Sequence, residues 1–142
     1  MGEGAPTTDR VGYAIVAVGA VAAVVLARIV TPSPTGVGTH QQLGLPPCTF
    51  HLLTGHGCPG CGLTTSFAHV VRGDIATAFA TNPMGPVLFV LVALTAPAAG
   101  YLAFRPVPMD GIARSGYFVG TMIAILVGMI VGWTIRLVLG QV

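Results

Sequence analysis

From Val11 through Ala27 the chain carries no charged residue, and the apolar run Val11–Val30 is 20 residues long. As a helix such a run reaches about 30 Å, the hydrocarbon thickness of a bilayer. Two further stretches follow, one over 84–104 and one over about 115–139. Charged residues make up only 7% of the 142, with six Arg and no Lys, whereas a soluble domain carries about 25%. Ten charges cannot cover a water-facing surface, so an ordinary soluble domain is excluded. The 54% hydrophobic content excludes a disordered chain as well. A scattered net charge of +2 gives no footprint for a nucleic-acid partner. The expectation is one integral membrane domain over residues 11–142, with the lipid bilayer as its partner. Residues 1–10, polar and rich in Gly, Pro and Thr, read as a disordered tail.

The first run exceeds the roughly 7–15 residues of a signal-peptide core, no Ala-x-Ala site follows it, and Glu3 and Asp9 precede it. A retained span is expected. Its Gly19, Ala23 and Ala27 recur every four residues and offer a face for close helix approach. Asn82-Pro83 precedes the second span, Arg105-Pro106 ends it, and Pro97 is expected to kink it. In the third span Gly120, Ala124, Gly128 and Gly132 repeat at four-residue intervals. This stripe implies packing within a three-helix bundle, with a homo-oligomer or a larger membrane complex as the other use of the same face. Arg136, near the end of that span, is expected to snorkel to the headgroups. With the N-terminus cytoplasmic, Arg10, Arg105 and Arg114 lie inside and Arg28, Arg72 and Arg136 outside, an even count. The two Arg of the short 105–114 loop favour a cytoplasmic N-terminus, which puts the segment between the first two spans on the outer face.

That segment, 48–82, holds the chemistry. All three cysteines and three of the four histidines fall between Cys48 and His69. Cys48-x-x-His51 and Cys58-Pro-Gly-Cys61-Gly62 are two short-interval pairs of the kind that build tetrahedral metal sites. Pro59 fixes one backbone angle, while Gly60 and Gly62 admit the positive φ of a tight turn. The expected ligands are Cys48, His51, Cys58 and Cys61, with His56 and His69 as substitutes for the fourth. The metal is zinc, or alternatively copper or iron, since ligand softness does not separate them. Two other readings use the same residues. Cys58 and Cys61 form a redox pair if a helix starting near Gly62 lowers the Cys61 pKa. Alternatively, a disulfide or metal simply staples the loop, although three cysteines leave one unpaired in a disulfide scheme.

Beyond the cysteines, Leu63, Phe67, Val70 and Val71 mark a short amphipathic helix closed by Gly73. Asp74 is placed to cap a second one running through Asn82, and to pair with Arg72 across the turn. Both are too short to span, which suggests an interfacial or re-entrant hairpin. Thr64, Thr65 and Ser66 have no base-and-orienter set beside them, so a non-enzymatic role is expected.

Cys48-Thr-Phe-His51, Cys58-Pro-Gly-Cys61-Gly62-Leu63-Thr64, Arg72-Gly73-Asp74 and Asn82-Pro83, in that order, resemble the bacterial membrane family known as domain of unknown function 2752. The resemblance covers about residues 45–104 and, more loosely, the last helix. It implies a small multi-pass protein of the bacterial cytoplasmic (inner) membrane and weight on Cys48, Cys58 and Cys61, but it implies no reaction. The family commonly has Arg where this chain has Thr65. The fold expected is all-α: three transmembrane helices plus a short helical hairpin preceded by a Cys/His-rich loop.

Overall fold

The computed structural model describes residues 7–105 and 107–140. They form seven α-helices and one 3-10 helix. Three helices are long and apolar enough to cross a membrane: α1 (Thr7–Ile29), α5 (Met84–Phe104) and α7 (Gly116–Val138). Between α1 and α5 lie the 3-10 helix Thr39–Leu43 and the short helices α2 (Thr49–Thr54), α3 (Leu63–Val70) and α4 (Ile75–Thr81), and α6 (Met109–Ala113) precedes α7.

α1 starts four residues before the apolar run, so residues 7–10 are helical and not part of a disordered tail. Asp9 in the first turn favours the positive end of the helix dipole, and its Oδ2 accepts the Met109 backbone N–H at 3.4 Å. Residues 1–6 of the expected tail lie outside the described residues. α5 runs on through Pro97.

α1 packs against α5, and of the expected stripe Ala27 is buried, Ala23 is half-buried and Gly19 is exposed. The buried residues are Tyr13, Ala20 and Ala27, and nothing lies near Gly19. A step of four residues drifts about 40° around a helix, whereas a step of seven drifts about 20°. A long contact line therefore follows the seven-residue spacing. α7 joins mainly at the opposite end of its own stripe. A Cβ on Gly128 would lie 2.8 Å from Met84 Sδ, and one on Gly132 would lie 3.8 Å from Pro83. Gly120 meets nothing and Ala124 is exposed. Half the expected packing stripe is thus used, and the closed three-helix bundle is corrected to an α1–α5 pair with α7 attached through the start of α5.

The short helices are seated by polar contacts. Asp74 caps α4 by accepting from the Thr77 N–H at 3.2 Å, as its position predicts. Its other oxygen takes His69 Nδ1 at 3.1 Å, so the expected Arg72–Asp74 pair does not form. Arg72, in the turn after α3, instead donates to the carbonyls of Ala27 (3.1 Å), Arg28 (3.0 Å) and Val30 (2.7 Å), and to that of Ala68 in α3. The last carbonyls of a helix have no partner within it and carry its negative dipole end, so a guanidinium fork is a better match for them than for one exposed carboxylate. Gly85 allows α5 to meet α3: a Cβ there would fall 2.0 Å from Ser66 Oγ, which donates to the Ala78 carbonyl.

Candidate metal centre

Cys48 precedes α2 in an extended conformation. Gly55, at φ 72°, ends that helix and sends the chain back towards it. The turn Cys58-Pro-Gly-Cys61 closes through Cys61 N–H to the Cys58 carbonyl at 2.9 Å, and Leu63 N–H bonds the Gly60 carbonyl at 3.1 Å. Of the two turn glycines expected at positive φ, only Gly62 has it, at 83°. A Cβ on Gly62 would also come within 3.0 Å of the Gly36 and Thr81 carbonyls. Gly60 needs no such freedom, because Pro59 and the Cys58–Cys61 bond already set the turn.

This backbone brings Cys48, Cys58 and Cys61 together, all three Sγ lying within 4.8 Å of one another. Tetrahedral zinc with Zn–S bonds of about 2.3 Å would hold two sulfurs roughly 3.8 Å apart, so the three thiols match such a centre within small side-chain rotations. Cys61 is buried, while Cys48 and Cys58 are partly accessible. The thiols are electrostatically unlike. The Cys48 pKa is lowered to about 7, chiefly because the His51 backbone N–H at the start of α2 stabilises its thiolate. Cys61 is pushed up to about 12 by burial, with the Cys58 thiol adding to it. The expectation that a helix start would lower Cys61 is therefore reversed. Cys61 precedes the Gly62 cap and is sealed by packing, and it is Cys48 that sits at a helix N-terminus.

The cluster lines a cavity of about 270 Å³, whose wall includes His40, Gln41, His51 and Thr64. His51, the expected fourth ligand, reaches this wall, but its ring nitrogens do not join the three sulfurs within 4.8 Å. His56 is turned onto the Thr54 carbonyl at 2.8 Å, and His69 is held by Asp74. Neither of these substitute ligands lines the cavity. His40 does, although its sequence position, eight residues before Cys48, gave no sign of it. Its Nε2 lies 3.2 Å from the Pro46 carbonyl. Thr65, where the family commonly has Arg, is fully buried and shares a 2.7 Å hydroxyl bond with Thr39, which fixes the 3-10 helix against α3.

Three residues from other elements hold the cysteine loop by its carbonyls. Trp133 Nε1 donates to Gly57 at 2.7 Å, and its ring meets Phe50 of α2 edge-on at 6.1 Å. Asn82 is buried, donates to Cys61 at 3.2 Å and accepts the Met84 N–H at 3.1 Å, so it joins the loop to the start of α5. Arg136 does not snorkel. It is 4% exposed and donates to the Cys61 carbonyl at 3.2 Å and to Thr81 at 3.0 Å. Folding the loop back over the end of α7 offers the guanidinium a set of carbonyls, which takes the place of the headgroups.

No curated protein and no solved structure matches the chain. Residues 48–96 match the model of the family described as protein of unknown function (DUF2752), the family that the motifs of this segment resemble.

Proposed function

We propose that the chain is a small multi-pass protein of the bacterial inner membrane that binds one zinc ion through Cys48, Cys58 and Cys61, with His51 as the fourth ligand, and passes it on. The convergence of three sulfurs from two separated motifs carries this reading. Structural zinc sites are closed by four protein ligands, whereas sites that exchange or react keep a position open. Here the fourth position faces a cavity, and His51 needs a rotation to reach it, which favours handling of the metal over a purely structural role. Soft thiolates also suit copper(I), which makes copper the competitor to test against.

The orientation rests on the arginines. Arg72 is engaged on α1 carbonyls and Arg136 is buried under the cysteine loop, so neither acts as a free loop charge. That leaves Arg10, Arg105 and Arg114 at the other end against the exposed Arg28 alone at the cysteine end, and the positive-inside rule then favours a cytoplasmic N-terminus and an outward-facing centre. The exposed Gly120–Ala124 half of α7 would serve a second copy or a larger complex.

A second reading is supported by the low pKa of Cys48: its thiolate would exchange with a Cys58–Cys61 disulfide. Metal content and free thiols measured on one sample separate the two. About one zinc per chain that is lost in Cys48→Ser supports the metal centre. Absence of metal, with one free thiol rising to three on reduction, supports the disulfide.

A further inference from the structure

Arg136 is nine-tenths buried or more, and its Nε has no hydrogen-bond partner. A buried charge is costly unless it is paired, yet no carboxylate among the described residues lies within ion-pair distance of it. Asp74 is taken by His69 and the Thr77 N–H, Asp110 by Arg114, and Asp9 accepts from Met109 beside α6. The hydrogen bonds of Arg136 are to uncharged carbonyls, and one of them belongs to Cys61, whose sulfur is part of the cluster. Those bonds satisfy donors but leave the charge without a partner.

We propose that Arg136 is the counter-charge of the metal–thiolate centre, a positioning residue that makes the anionic three-sulfur complex stable in a place of low dielectric. The inference rests on the zinc reading above and adds to it. Binding Zn²⁺ to three thiols releases three protons and leaves a complex of net charge −1, and the guanidinium beside Cys61 brings the pair to zero. The same arrangement works in the other direction, since the bound complex relieves the buried cation. Residues just outside a metal's ligands commonly change its affinity by about 10–100-fold.

The test uses the full chain in detergent. Zinc affinity is read by competition with a chromophoric chelator, and Co²⁺ absorption reports whether all three sulfurs still bind. Arg136→Gln keeps a hydrogen-bonding side chain and removes the charge, so it should weaken zinc binding about tenfold or more with an unchanged cobalt spectrum. Arg136→Lys restores the charge without the fork and should recover most of that loss. If Lys and Gln lose affinity equally, Arg136 acts only by holding the loop, and the proposal is overturned. Should the Gln variant not fold, Ala80 decides. It is exposed and lines a second cavity with Arg136. Ala80→Glu offers the guanidinium a competing carboxylate and should weaken zinc more than Ala80→Gln does, whereas equal affinities overturn the proposal. A wild-type chain that binds no zinc overturns the metal reading itself, while wild-type binding that neither Arg136 variant disturbs overturns this inference alone.

Discussion

The two ends of the helix assembly use their polar residues in opposite ways. At the cysteine end, Arg72, Asn82, Trp133 and Arg136 all donate to backbone carbonyls, and each links segments far apart in the chain. At the other end, Arg114 and Asp110 form an exposed pair one helical turn apart, and the Tyr13 hydroxyl on the Val107 carbonyl is the main long-range tie. In a chain with ten charges, long-range polar contacts are scarce, and they are spent where an irregular loop must be held rigid. A loop that only connected two spans would not need three side chains, Asn82, Trp133 and Arg136, on its carbonyls. The contrast indicates that the cysteine loop is held for its sulfurs.

The strongest way to break the comparison is to disturb the packing under the loop. Gly85→Ala puts a methyl group onto Ser66 and should destabilise the protein by about 1–3 kcal/mol, read as a lower thermal midpoint in detergent. Gly120→Ala, in the free half of α7, should lower nothing and is expected to stabilise slightly, since alanine favours helix. Equal losses at both positions would mean that α7 packs along its whole length.

Arg72→Met comes next. It leaves three carbonyls at the end of α1 without their donor and should cost about 1–3 kcal/mol, again read by thermal unfolding. The matching change at the other end, Arg114→Gln, breaks an ion pair whose side chains are 82% and 84% exposed, and such pairs commonly contribute nothing measurable.

A pH series sharpens the comparison within the site. The helix-start N–H groups favour the charged form of Cys48, so its thiolate fraction should rise through a midpoint near pH 7. Burial disfavours the charged form of Cys61, which should stay protonated until about pH 12. In metal-free protein, iodoacetamide should therefore label Cys48 first, with a rate that falls as pH drops below 7. Peptide mapping of the labelled chain checks this, and Cys61 labelled first would contradict the electrostatic account.

Much of the site was legible in the sequence because it is local. Cys-x-x-Cys needs only one turn to bring two thiols together, Gly62 marks a positive φ that few residues accept, and Asp74 caps the helix that starts after it. The three long helices follow from hydropathy alone. What was not legible depends on contacts between distant residues. Trp133 and Arg136 are separated from the loop by about 75 positions, and an arginine at the end of a span looks the same whether it snorkels or folds inward. His40 reaches the cavity only because the 3-10 helix is pinned by the Thr39–Thr65 bond. The small-residue stripes misled for a related reason. Repeats of four show where helices can approach, while the neighbour's position decides which part of the repeat is used.

The central claim is that three cysteines form one metal centre, and zinc counted per chain in untagged protein tests it most directly. The account predicts about one zinc per chain, lost in each of Cys48→Ser, Cys58→Ser and Cys61→Ser. Zinc retained in Cys48→Ser, or a wild-type chain carrying no metal, would contradict it.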